Sequence, residues 1–384
     1  MNRAINGEKP AAQVRRLLRT TISNPADVAK MAPGNLDLVL RLARRAGLLG
    51  RLAARLKNAN KLESVPKLAT DQLESALVNA NARARLALWE MNRIARATAD
   101  DKSINILALK GCAYLQLNLP NAEGRNFADV DLMVAESDLM AVEVHLQSHG
   151  WRSKKLSAYD QHYYRVWSHE VPPMVHAERE VEVDLHHNIL PRTARLKPQS
   201  PLLLEAAQSI PGSRFKALCN ADIVLHAMTH LMFNGDLADS LRDLVDIHDL
   251  IGYSSDQDPE FWDKLLTRAD QLDLDRPTFY ALRYADQLLG TPIPASVQQI
   301  IAGRGPPAVI IWLMDRLVPS ALFPQHPDFP SRMADFKRFL LYMRSHWISM
   351  PPLQLARHLA YKFYIRHIEP HRWFKLDKKL NPSP

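Results

Sequence analysis

The chain has 384 residues, 47% of them hydrophobic and 23% charged. That is ample for buried cores, and the length points to two or three folded units. Two cysteines, Cys112 and Cys219, exclude a disulfide framework and lack the partners and spacing of a zinc site. They read as buried, reduced thiols. The first residues, MNRAINGEKPAAQVRRLL, contain no apolar core of a secretory signal. The longest apolar run, near Ala308–Met314, falls far short of the ~20 residues of a spanning helix. The expected location is therefore cytoplasmic. The net charge of +8 is unevenly spread. Residues 1–57 hold 12 Lys and Arg against 3 Asp and Glu, and residues 332–384 hold 11 against 3. The middle is acidic, which argues against a polymerase-like groove running across the whole molecule. The basic ends suit either solvated helix faces or an anionic partner.

In chain order, residues 11–57 read as helices. Val14, Leu17 and Leu18, then Leu36, Leu38, Val39, Leu42 and Ala43, recur near a 3.6-residue period, punctuated by Pro25 and Pro33-Gly34. Residues 70–99 form a longer helical run ending in the polar stretch Thr98–Asp101. The pattern then changes. Ile104–Leu109 is a short apolar run that reads as a buried strand. Lys110-Gly111 follows, then a helical stretch, Cys112–Leu119, stopped by Pro120. Val130–Val134 is a second strand. Ser137–His149 is a helix with Gly150 as its stop. Val181–Leu185 is a third strand, with Met174–Ala177 as its hairpin partner. From Asp222 onward, Ile223–Phe233, Leu237–Ile251 and Pro277–Leu289 are separate amphipathic helices. This order predicts an α+β fold: an N-terminal helical region (1–101), a small mixed-sheet core (102–192) and a C-terminal helical region (193–384).

The chemistry concentrates in 104–190. Asp129 and Asp131 lie at i and i+2, so a strand points both to one face. Like charges side by side are costly unless a cation joins them, and hard oxygen ligands suit Mg²⁺ or Mn²⁺. Glu182, Asp184 and His186 share one face of the next strand. Two neighbouring strands would thus gather the three carboxylates that a two-metal phosphoryl-transfer centre needs. Lys110-Gly111 falls where a strand turns into a helix, a place suited to phosphate. Arg125, four residues before Asp129, could grip a phosphate bidentately.

The stretch LALKGCAYLQLNLPNAEGRNFADVDLMVAESDLMAVEVHLQSHGW, with EVDLHHNILP and LRDLVDIHDL after it, resembles the uncharacterised nucleotidyltransferases of the DNA polymerase beta-like superfamily. Their pattern is Lys-Gly, Arg-x-x-x-Asp-x-Asp and Asp-Leu-His, and the resemblance spans roughly residues 75–252. It implies that Asp129 and Asp131 hold the metal ions, with Asp184 as the third carboxylate. Lys110, Gly111 and Arg125 would serve the phosphates of an NTP such as ATP, His186 would be supporting, and Leu241–Asp246 would come from a helical region beside the cleft. The implied reaction is direct, Mg²⁺- or Mn²⁺-dependent transfer of an NMP group to an acceptor hydroxyl, with release of pyrophosphate. The acceptor is unspecified: a small molecule, a saccharide, a protein or an RNA. The chain departs from the superfamily in three ways. Lys-Gly stands where most members have Gly-Ser, Gly111 lies 18 residues before Asp129, and Glu182 competes with Asp184 for the third position. Two alternatives remain: a catalytically silent nucleotide-binding scaffold, and an RNA-directed nucleotidyltransferase.

Three further groups stand out. His226 and His230, at i and i+4, could hold zinc with His248, although core histidines are the commoner outcome. Arg242, Asp243 and Asp246 lie within one helical turn and would either reach a cleft or pair at the surface. Leu353–Trp373 mixes aromatic and basic residues; it would pack on the body, bind RNA or lie on an anionic membrane.

Overall fold

A computed structural model describes residues 9–179, 181–233 and 237–364. Apolar spacing and proline placement set the first helices. α1 (Pro10–Ser23) buries Val14, Leu17, Leu18 and Ile22 along one stripe. α2 (Pro33–Arg45) opens on proline and ends with Arg44 and Arg45, which oppose the negative end of its dipole. α3 (Leu49–Asn58) and α4 (Lys67–Ala97) follow.

The described chain divides into two compact units made of interleaved segments. A helical unit takes residues up to Leu88, Tyr114–Phe127 and Asn220–Met343; a sheet unit takes Trp89–Ala113, Ala128–Cys219 and the residues from Arg344 on. The 18-residue step from Gly111 to Asp129 thus contains an excursion, Tyr114–Phe127, that folds with the helical unit.

In the sheet unit the elements run β1 (Leu107–Ala108), the first turn of α5 (Lys110–Gln116, which passes into the helical unit at Tyr114), β2 (Asp129–Met133), α6 (Leu139–Ser148), β3 (Trp151–Ser153), α7 (Ala158–His162), β4 (Met174–His176), β5 (Glu182–His186), α8 (Ser200–Glu205), β6 (Gln208–Ser209) and β7 (Lys216–Ala217). They form one seven-stranded sheet in the order β3-β4-β5-β2-β1-β7-β6. β2 pairs parallel with β5 and antiparallel with β1; β1 pairs parallel with β7. Met174 and Val175 pair antiparallel with β5, as the hairpin reading expected. Val130, Leu132, Val183 and Leu185 are fully buried and form the middle of the core. β1 is shorter than the expected Ile104–Leu109, but backbone bonds at Ile106 and Leu109 continue its pairing on both sides. Ile106 to Leu109 are all buried, as in a strand covered on both faces. α6 packs on β3, and Gly150, at φ +99°, makes the turn between them.

In the helical unit, α9 (Asn220–Phe233) is buried almost all round and packs against α10 (Leu241–Gln257), α11 (Phe261–Gln271) and α12 (Asp275–Tyr284). α13 (Ala295–Gly303) and α14 (Ala308–Leu322) come next. α15 (Arg332–Ser349) runs into the sheet unit, which also holds α16 (Pro352–Phe363). The 120–124 turn is clamped onto α3. Arg51 Nη2 donates to the Asn121 carbonyl at 2.6 Å. Gly124, at φ +68°, lies so near Gly50 that a Cβ would meet the Gly50 carbonyl oxygen at 2.3 Å. The molecule is an α+β protein with helical flanks. Among the described residues no helix is long and apolar enough to cross a membrane.

Candidate active site

β2 and β5 lie parallel and in register: Asp129 faces Glu182, Asp131 faces Asp184, and Met133 faces His186. Strand alternation puts all of these on one face of the sheet. Carboxylate oxygens of Asp129, Asp131 and Asp184 come within 4.8 Å of one another. Glu182 is engaged elsewhere: Lys154 Nζ lies 2.6 Å from its Oε2. The group therefore closes through Asp184 rather than Glu182.

The two central carboxylates sit in opposite electrostatic settings. Asp131 is 4% exposed, and its burial opposes ionisation. Lys110 and His186 outweigh that: Lys110 Nζ donates to Asp131 Oδ1 at 2.7 Å, and His186 Nε2 lies 3.1 Å from the same oxygen. Together they hold the Asp131 carboxyl well below the usual carboxylate range. Asp184 is pushed the other way, up to about 7, by burial first and then by the charges of Asp131 and Glu170. Its Oδ1 is buried and has no hydrogen-bond partner. A buried acceptor with no donor, beside two further carboxylates, is the donor chemistry of a hard divalent cation. These residues fit Mg²⁺ or Mn²⁺.

Lys110 is the first residue of α5, and its φ is +42°. Such a conformation is uncommon for a lysine and persists only where its surroundings hold it. Here the Leu109 amide donates to the Asp131 carbonyl at 3.0 Å, which ties the end of β1 to β2 just before the turn. Burial works against the Lys110 charge, but Asp131 outweighs it and raises the ammonium's pKa. Gly111 follows in the first turn of α5.

Arg125 belongs to the helical unit. Its guanidinium is bound to Asp246 and lies over the Tyr114 ring, 5.5 Å from the centroid. Burial, then the neighbouring Arg242, push its pKa down to about 10. Asp246 is itself buried and also accepts from Arg51, while Arg242 pairs with Asp243 at 3.3 Å. Asp246 thus lies in a buried ion-pair network within its unit, while the neighbouring Arg242–Asp243 pair stays partly exposed. Among the described residues, His226, His230 and His248 form no metal-ligand group; His248 Nδ1 instead lies 2.8 Å from the Thr291 hydroxyl. Within the sheet unit α16 packs through aromatics: Tyr361 stacks on Tyr159 at 4.0 Å, and His358 Nδ1 lies 2.8 Å from the Tyr159 hydroxyl. The rest of the aromatic-basic run, from 365, lies outside the described residues, as do residues 1–8 of the basic N-terminal segment.

Sequence reasoning missed three participants. His169 and Glu170 border His186, with Glu170 Oε2 3.5 Å from its Nδ1. Tyr164, in a π-helical turn at Tyr163–Trp167, is pushed up to about 12 by burial and then by the charges of Glu170 and Asp184. These residues lie in a short π-helical turn and the irregular chain after it, ahead of β4, where no period marks them; the His-Glu pair just ahead of Pro172-Pro173 was the sole hint.

The model of a family described as uncharacterised nucleotidyltransferase matches residues 33–290. No curated protein and no solved structure matches the chain.

Proposed function

Because the chain belongs to the uncharacterised nucleotidyltransferase family and is a nucleotidyltransferase by that membership, we propose that it moves an NMP group from an NTP to an acceptor hydroxyl, with Asp129, Asp131 and Asp184 holding Mg²⁺ or Mn²⁺. The observation that carries this reading is the convergence of those three carboxylates, from two in-register parallel strands, within 4.8 Å. When bound, the divalent ions supply neutralisation of phosphate charge and activation of the acceptor oxygen.

The chain's own residues do the rest. Asp131, held ionised by Lys110 and His186, is a ligand at any physiological pH. Asp184 offers its buried, unpartnered Oδ1 to the ion, and the acceptor's proton passes to this same carboxylate. Lys110 carries a compact charge on a flexible stem, able to pass from Asp131 to a phosphate oxygen. Gly111, beside it in the helix's first turn, offers backbone to the same phosphates. Arg125 stays bound to Asp246 within the helical unit. Attack on the α-phosphorus releases pyrophosphate, and rate comes from positioning and charge neutralisation. The acceptor is a hydroxyl of a small molecule, a saccharide, a protein or an RNA.

Equilibrium binding tests the reading without needing the acceptor. Each NTP is titrated into wild type and into Asp129→Ala/Asp131→Ala, with Mg²⁺ or Mn²⁺ and with EDTA. Metal-dependent binding that the folded double variant loses supports the reading; equal binding by the double variant contradicts it.

A further inference from the structure

We propose that His169, Glu170 and His186 form a second metal site, for a divalent transition ion of the Zn²⁺ class, against the carboxylate centre and chemically distinct from it. The segment around 169–171 adds a short antiparallel pairing to β5. His187 N–H donates to the His169 carbonyl at 2.9 Å, Val171 N–H donates to the Leu185 carbonyl at 3.0 Å, and Glu170 bridges His186. That pairing brings ligand atoms of all three side chains within 4.8 Å of one another.

Two features separate this group from a plain ion pair. The first is distance. Glu170 Oε2 lies 3.5 Å from His186 Nδ1, beyond the 2.7–3.2 Å of a good hydrogen bond. Two ligands at ~2.0–2.1 Å on a tetrahedral ion stand ~3.4 Å apart. The second is the outward side of the ring. His186 Nε2 lies 3.1 Å from Asp131 Oδ1, and the ring is 2% exposed. A metal-bound imidazole commonly donates its other N–H to a carboxylate, which fixes tautomer and ring orientation. With Nδ1 on the ion, Nε2 must carry the proton and donate it to Asp131.

Two imidazoles and one carboxylate make a softer donor set than three carboxylates, and they leave coordination positions open. The two sites therefore sort ions: Mg²⁺ for the carboxylates, a transition ion for His169, Glu170 and His186. The second ion would hold His186 against Asp131 and so keep that carboxylate in place. This inference stands whether or not the carboxylate centre transfers nucleotides.

Zn²⁺ is the probe. The purified full chain is stripped with chelator, given one equivalent of Zn²⁺, washed, and measured by metal analysis and by X-ray absorption at the zinc edge. The expected result is one retained zinc with two imidazole ligands, kept in Asp129→Asn/Asp184→Asn and lost in His169→Gln and in Glu170→Gln. Zinc bound through oxygen ligands alone, zinc lost in the Asp129/Asp184 variant but kept in His169→Gln, or no retained zinc, would each overturn it. Because the absorption signature is read on wild type, misfolding of a variant does not blur the answer.

Discussion

Lys110 reaches Asp131 at 2.7 Å from a backbone with φ +42°, so a strained residue supplies the charge that keeps a buried carboxylate ionised. Removing the ammonium leaves Asp131 buried with His186 Nε2 still beside its Oδ1. Breaking a fully buried pair costs roughly 3–5 kcal/mol. Lys110 keeps 22% side-chain exposure, so Lys110→Ala should cost less, about 2–3 kcal/mol in metal-free protein. Urea unfolding in EDTA measures it, and saturating Mn²⁺ should recover part of the loss.

The raised pKa of Asp184 gives a signed pH effect. Its carboxyl titrates at about 7 in the folded protein, well above the unfolded value near 3.8. Between those values the folded state holds a proton that the unfolded state has released, so stability falls as pH rises through that window. A divalent ion that replaces the proton removes this penalty. The gain in Tm from Mn²⁺ over EDTA should therefore be larger at pH 8 than at pH 5.5. A gain that shrinks with rising pH would contradict the assignment of Asp184 as a ligand.

Cys112 should be inert in the folded protein. Its thiol is fully buried, lies 3.9 Å from the Asp129 carbonyl, and is driven far above its ordinary range by burial first and then by the Asp131 charge. Cys219 is less buried than the sequence suggested, being intermediate. In Cys219→Ser, a thiol reagent at pH 8 should find no fast-reacting group until denaturant is added, when one appears. Rapid labelling of the native variant would show that the β1–α5 turn opens readily.

Asp246 accepts from both Arg51 and Arg125 inside the helical unit. Asp246→Ala leaves two buried guanidinium groups without that carboxylate and should destabilise by about 3–5 kcal/mol. Asp263→Ala, at an exposed position, should stay within about 0.5 kcal/mol. Chemical denaturation of both variants decides it.

Much of this site was legible because strands have a period of two. Asp-Val-Asp and Glu-Val-Asp-Leu-His each declare a face, and both faces proved to be the same side of adjacent strands. The choice between Glu182 and Asp184 was not legible, since alternation treats them alike. It needed the register that sets Asp131 opposite Asp184, and Lys154, distant in sequence, which occupies Glu182. β6 and β7 have two residues each, too few to show a period. The return of Tyr114–Phe127 to the helical unit was invisible for another reason. It depends on close backbone approach at Gly50 and Gly124 and on a buried Arg51, none of which leaves a periodic trace.

The most direct test follows label from each α-labelled NTP, together with pyrophosphate release, in wild type and in Asp129→Ala/Asp131→Ala with Mg²⁺ or Mn²⁺. The account predicts metal-dependent transfer of label, to the protein itself or to an added acceptor, with pyrophosphate released in step and both lost in the double variant. Transfer that the double variant retains, or that proceeds undiminished in EDTA, would contradict it.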